Sequence, residues 1–271
     1  AIGVFGQLML HGQNRQVIWT NLAKTALRGS ATIEVIDTPD WNVGDVIVIA
    51  STSFEMLHTE KFQILHISQN TITLNGTLQY KHLGEETTVD GHTYIQRAEV
   101  GLLTRNIKIQ SGNLTKTDEE SFGCRIFVSS YTNEYGTRLV GNAQLDGVEI
   151  VYCGQEGYSN SFDPRYSFAV HNTGVGSTAG NKITYIRRSS IHDGYNTGIG
   201  VFTSDGVIIS DNVIHRTVGP SVVLEGSGHI LTRTMATVAL FPGTYRGIDD
   251  PQNDKWTANF KLINTKNLTL L

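Results

Sequence analysis

A chain of 271 residues, 39% of them hydrophobic, is long enough for one large all-β domain or two modest ones and can bury a core without help from metals or many disulfides. Its 28 glycines, against 5 prolines, 3 methionines and 2 cysteines, suit short strands joined by tight turns and exclude a collagen-like or low-complexity chain. A net charge of -4 supplies no basic field for nucleic acid, and no apolar run approaches the ~20 residues of a membrane span.

In chain order, residues 1–11 read as a strand entered mid-element, with Val4, Phe5, Leu8 and Leu10 set between Gly3, Gly6 and Gly12. Trp41-Asn42-Val43-Gly44-Asp45 is a turn feeding Val46-Ile47-Val48-Ile49, a run apolar on both faces and therefore expected to be a buried strand. Residues 61–68 and 71–74 form an expected hairpin around Gln69-Asn70. Residues 13–98 thus read as a β-barrel or sandwich module, with 1–12 before it and 99–271 after it.

The second half repeats itself. Gly206-Val207-Ile208-Ile209-Ser210 aligns with Gly228-His229-Ile230-Leu231-Thr232 at an offset of 22, and Ile191-His192 with Ile214-His215 at 23. That period is one coil of a solenoid, and one coil cannot bury its own apolar face, so neighbours must stack. The expected fold is all-β, a right-handed parallel β-helix preceded by a small β-barrel, with Ile208 and Ile214 pointing inward.

Residues 145–151 read as a further coil. A Gly, Ser and Asn-rich excursion follows at about 154–180, broken by the strand-like Phe168-Ala169-Val170, where a solenoid carries ligand contacts. The tail resumes at 260–263 and 268–271, so the chain is expected to be an excised fragment that stops inside the solenoid. Sequons at Asn75, Asn113 and Asn267 fit a secretory route. Cys124 and Cys153 either pair or remain buried thiols, and sequence does not decide between them.

One flank of a β-helix makes a groove that can hold an extended sugar chain. Hydrolysis there needs a proton donor and a second carboxylate, about 5 Å or about 6.5–9.5 Å apart. The candidate cluster is His192-Asp193, Asp211, His215-Arg216 and Glu225, with His171 and Arg165 reaching in from the long loop. Arg187, Arg188 and Arg216, with Arg165, are the candidate glycan-binding cations.

Each of these has a structural reading too. Histidines one coil apart form ladders, and Asp193-Gly194, Ser204-Asp205-Gly206 and Asp211-Asn212 fit turn chemistry. Arg97-Ala98-Glu99 fits an ion pair fixing the junction between two β modules. His11, His58, His66, His82 and His92 have no two-His spacing on one strand face, so no metal follows. No cofactor is expected; a calcium site built from Asp118-Glu119-Glu120 or from Glu85-Glu86 and Asp90 lacks the spaced ligands of a recognised loop. There is no Gly-X-Ser-X-Gly elbow, phosphate-binding loop or Cys-X-X-Cys.

The stretches 41–52, Glu60-Lys61-Phe62-Gln63-Ile64-Leu65 and the block 97–107 (Arg97-Ala98-Glu99-Val100-Gly101-Leu102-Leu103-Thr104-Arg105-Asn106-Ile107) carry a family likeness. They resemble proteins with an eight-glycine domain followed by parallel β-helix repeats: the fibrocystin and fibrocystin-like family and the cell-surface and secreted hyaluronidases related to transmembrane protein two. Residues 4–12 resemble the end of the eight-glycine domain. The resemblance implies a large glycosylated ectodomain anchored elsewhere by one transmembrane segment. It would act as a non-enzymatic structural, adhesion or receptor module of a surface coat, with extracellular matrix or cell-surface glycans or proteins as partners.

The alternative is a module that binds or cleaves hyaluronan or another acidic glycan. The hyaluronidase branch has a Tyr-Pro motif and two histidines flanking an aromatic residue at the segment matching 165–171. Here Ser167 replaces the proline and Ala169 the first histidine, leaving His171 alone.

Overall fold

Strands of two to nine residues, separated by glycine, asparagine and aspartate, build nearly all of the regular secondary structure among the described residues. The computed structural model describes residues 1–113, 120–157, 164–175, 183–241 and 258–271. Parts of the 154–180 excursion and the Asp118-Glu119 pair lie outside the described residues. The chain divides into two compact units, Ala1–Asn14 with Arg105–Leu271, and Arg15–Thr104.

The larger unit is a right-handed parallel β-helix of three sheets. The first sheet stacks Ile2–Val4, Ile126–Thr132, Phe168–Val175, Ile199–Asp205, Val222–Ser227 and Phe260–Lys266. The second stacks Gln7–His11, Asn142–Asp146, Tyr185–Arg187, Ile208–Ser210, Ile230–Thr232 and Thr269–Leu270. The third stacks Ile107–Ile109, Val148–Val151, Ser190–His192, Val213–Val218 and Met235–Leu240. Ile191 pairs with Ile214 and Ile208 with Ile230, so the 22- and 23-residue offsets are vertical neighbours.

Residues 1–11 are two strands on two sheets, with a corner at Phe5-Gly6, rather than one. The first coil is completed by Ile107–Ile109, so in sequence Arg15–Thr104 is inserted between its second and third strands. Val148, Ile150, Phe168, Ile186, Ile199, Ile209, Ile214 and Leu224 are fully buried in the shared core. Ile208, expected inward, is half-buried and faces out: side chains alternate along a strand, and Val207 and Ile209 take the inward positions.

Corners recur at left-handed backbone positions stacked in columns. Asn172, Thr203, Gly226 and Asn264 form one; Gly147, Arg188, Asp211 and Arg233 a second; Tyr152, Asp193, Arg216 and Val238 a third. In Asp193-Gly194 the left-handed residue is therefore the aspartate, which tolerates it better than most non-glycine residues. Cys124 and Cys153 are joined by a disulfide, and Gly123, beside Cys124, runs so close to the next coil that a Cβ there would lie 2.1 Å from the Tyr152 carbonyl oxygen.

The smaller unit is a six-stranded antiparallel sheet in the order Trp19–Asn21, Glu99–Leu102, Val46–Ile49, Glu60–Ser68, Thr71–Leu74, Thr32–Glu34. A bridge between Leu22 and Val35 joins its two ends into a small barrel around Leu22, Ile47, Ile49, Ile64, Ile72 and Val100. Glu60–Ser68 and Thr71–Leu74 form the expected hairpin, with Gln69 left-handed at its tip. Glu99–Leu102, expected among the coils, belongs to this barrel because both its edges pair antiparallel within it.

Arg97 does not pair with Glu99. Its Nη1 donates to the carbonyls of Leu22, Ala23 and Gly84, and its Nη2 meets Glu86 at 3.2 Å, so it ties the Gly84–Val89/His92–Arg97 ribbon to the barrel.

Candidate functional site

The residues expected to share one groove divide between two faces of the β-helix. His192 and His215 are register partners on the third sheet, whereas His171 and Glu225 lie on the first. The apolar core fills the space between the sheets, so the three histidines do not converge.

On the third sheet His192 is buried. Its Nδ1 lies 2.9 Å from Asp193 Oδ2, and its Nε2 lies 3.4 Å from Glu149 Oε1, at ion-pair distance without a full hydrogen bond. Glu149 also takes Lys108 Nζ at 2.8 Å and the Arg105 backbone N–H at 3.0 Å. Burial penalises the imidazolium, but the hydrogen bonds and charges of Asp193 and Glu149 outweigh it and raise the His192 pKa. Burial likewise opposes the Glu149 carboxylate, and His192, Lys108 and the Arg105 N–H together lower its pKa. His215 Nδ1 sits 3.0 Å from Thr237 Oγ1 in the next coil. These groups are engaged in holding coils to one another.

The candidate cations are largely committed as well. Arg187 and Arg188 both grip Asp146, and the Arg187 guanidinium also stands 4.4 Å over the Tyr185 ring. Arg165 donates to the Glu156 carbonyl at 2.8 Å. Arg216 is exposed at its left-handed corner. Asp211 pairs with Arg233. Asn75, Asn113 and Asn267 are all exposed.

The outer face of the first sheet is different. Ile126 and Val128 point into the core, so Phe127 and Ser129 alternate outward, and parallel register carries those columns up the stack. One column reads Gly3, Phe127, Ala169, Gly200, Val223, Lys261. The neighbouring one contains Phe5, Ser129, His171 and Phe202, then Glu225, each one residue beyond a paired inward position.

Rings meet along this face. Phe5 contacts Phe127 at 6.5 Å and Tyr131 at 6.0 Å between centroids; Phe127 stacks on His171 at 6.3 Å and Tyr166 on Phe202 at 5.5 Å. Burial lowers the His171 pKa, and the Glu225 charge only partly offsets it. Arg138, opposite Thr132 in the neighbouring strand, bonds Ser130 Oγ and the Asn172 carbonyl, on the strand face away from Phe127 and Tyr131. Beyond Glu225, a cleft is lined by Gly174, Thr203, Ser204, Asp205 and Asn264.

Sequence reasoning singled out His171 and Glu225 but not the rings or Arg138. Ser129 and His171 are 42 residues apart and His171 and Phe202 are 31 apart, so the excursions hide a column that a 22-residue period would have exposed.

Comparison with known proteins places this geometry. Human Fibrocystin-L is 37% identical over 99% of this chain, and dog Fibrocystin 31% identical over 99%. The chain belongs to the fibrocystin and fibrocystin-like family. It spans 6% of the length of either relative. The CEMIP beta-helix family model matches residues 122–241, the coils that carry most of the ring-bearing face. The mouse Cell migration-inducing and hyaluronan-binding protein is 32% identical over 70% of this chain and 14% of its own length. No helix among the described residues is long and apolar enough to cross a membrane.

Proposed function

We propose that this chain is an extracellular segment of a large cell-surface protein and that it holds, without cleaving, an acidic glycan such as hyaluronan on the outer face of its first sheet. The observation that carries the reading is the mixed aromatic and polar face of Phe5, Phe127, Tyr131, His171, Phe202 and Glu225. Aromatic faces with a few oriented polar groups are what sugar and small-molecule sites share. The hyaluronan-binding relative supports the choice of ligand, and three exposed sequons support a secretory route.

Binding is favoured over cleavage because Ala169 stands where the resembling hyaluronidases have the first of two histidines, leaving His171 alone. His192 and His215 are meanwhile engaged on another sheet. A stiff stack of coils that carries glycan would serve as a structural or adhesive element of a surface coat.

The test follows hyaluronan of high molecular mass with the chain present, with and without calcium, while binding is measured by titration. Saturable binding with unchanged polymer length is the expected result. Shortened polymer would replace binding by hydrolysis, and the absence of any association would remove the proposal.

A further inference from the structure

We infer that the 50–59 loop of the barrel is a membrane-docking tip, seating Phe54, Met56 and Leu57 at the headgroup and acyl boundary of a phospholipid bilayer while Arg28, Lys61 and Lys81 meet its phosphates. This goes beyond the glycan-binding reading and lies in the other compact unit of the chain.

The loop joins Val46–Ile49 to Glu60–Ser68, which pair antiparallel. Its own polar side chains lock it. Ser51 Oγ donates to the Glu55 carbonyl at 2.8 Å, Ser53 Oγ lies 2.7 Å from His58 Nδ1, and Thr59 Oγ1 accepts the Ser51 N–H at 3.1 Å. Glu55 turns its carboxylate back to accept the Leu57 N–H at 3.0 Å and so caps the short 3-10 helix Met56–His58. The His58 ring stacks on Tyr80 at 3.8 Å and Thr52 Oγ1 accepts the Leu83 N–H, which ties the loop to residues 78–83.

Polar groups are thus spent inside the loop while the large apolar ones stand outside it. Phe54 is 109% exposed, so its ring projects clear of the backbone, and Leu57 and Met56 are 57% and 40% exposed. Leu27 and Tyr80, both exposed, extend this surface, because the Ala26–His82 bridge and the Gly29 N–H on the Leu78 carbonyl lay residues 27 and 28 along 79–81. Large apolar groups held in water by a preorganised loop mark a place where something binds.

Arg28, Lys61 and Lys81 are exposed around that tip. The acids nearest them face inward. Glu55 caps its own helix, and Glu60 is buried, accepting the Gln79 and Tyr80 N–H groups at 2.8 and 3.1 Å beside His82 Nε2 at 2.9 Å. A chain of net charge -4 therefore carries a local cationic collar here.

Shape selects the occupant. A stable protein partner takes about 800 Å² from each side, more than a few projecting side chains supply. A protruding tip also offers no groove for a peptide or a sugar. A bilayer accepts apolar side chains without needing complementary packing, places tyrosine at its interface and pairs cations with its phosphates.

The test floats the whole 271-residue chain with vesicles of phosphatidylcholine alone and of an equimolar mixture with phosphatidylglycerol. The chain should bind both and prefer the mixture. Phe54→Ser and Leu57→Ser should each weaken both partitions roughly ten- to a hundredfold. Lys61→Gln combined with Lys81→Gln should remove the preference for the mixture, and the emission of Phe54→Trp should shift to the blue when vesicles are added. Tyr94→Ser, on the separate Gly84–Val89/His92–Arg97 ribbon, should change nothing. Thermal melts matching the parent would show that the loop variants remain folded.

Failure to float with either vesicle would overturn the inference, as would flotation indifferent to Phe54→Ser and Leu57→Ser. Self-association without vesicles that disappears in Phe54→Ser would give the tip to a second copy of the chain and overturn the lipid assignment.

Discussion

His192 illustrates how a residue chosen for its chemistry turns out to be held by its neighbours. It is buried between Asp193 and Glu149, and its proton is stabilised by both. A pKa raised on folding contributes stability that is fully present below the unfolded value of about 6.5 and is lost as pH rises through the higher folded value. Melting temperature should therefore fall as pH climbs upward from about 6.5, and His192→Gln should flatten that decline. Glu149 works with the opposite sign, its lowered pKa making the contribution disappear only as pH drops through its folded value. Melts across both ranges, in parent and variant, check the assignment; an unaltered alkaline slope in His192→Gln would contradict it.

At the level of strands, period-2 alternation decides which of two adjacent isoleucines matters. Ile209 is fully buried and Ile208 half-buried on the outside of the same three-residue strand. Ile209→Asp places an unpaired carboxylate in the shared core and should cost more than about 4 kcal/mol, enough to unfold the coils. Ile208→Asp should cost about 1 kcal/mol or less. Urea denaturation of the two variants measures the difference directly. A one-residue error in facing is the characteristic failure of strand reading, since apolar residues on both sides of a strand hide the alternation. Val207-Ile208-Ile209 is such a run.

For the whole molecule, the net charge of -4 and the commitment of Arg187 and Arg188 to Asp146 mean that long-range attraction adds little to glycan binding. Hyaluronan affinity should change by less than about fivefold as salt rises from about 0.05 M to about 0.5 M, because contacts to aromatic rings are not screened by salt. Titrations at several ionic strengths test this, and a steep loss would point to a basic stripe instead.

The repeat of 22 to 23 residues, legible in Gly206-Val207-Ile208-Ile209-Ser210 and its copy, was enough by itself to determine stacked coils with a common core, because a single coil has nothing else to bury its apolar face against. The barrel hairpin was equally readable, since turn chemistry at Gln69-Asn70 is local. What only the tertiary structure decided is which coil residues face each other across long excursions. Insertions of unequal length preserve vertical register while erasing sequence period, so the alignment of Phe127 and His171 with Phe202 on one face exists only once the strands have paired, whereas His192 over His215 was already legible at the 23-residue offset.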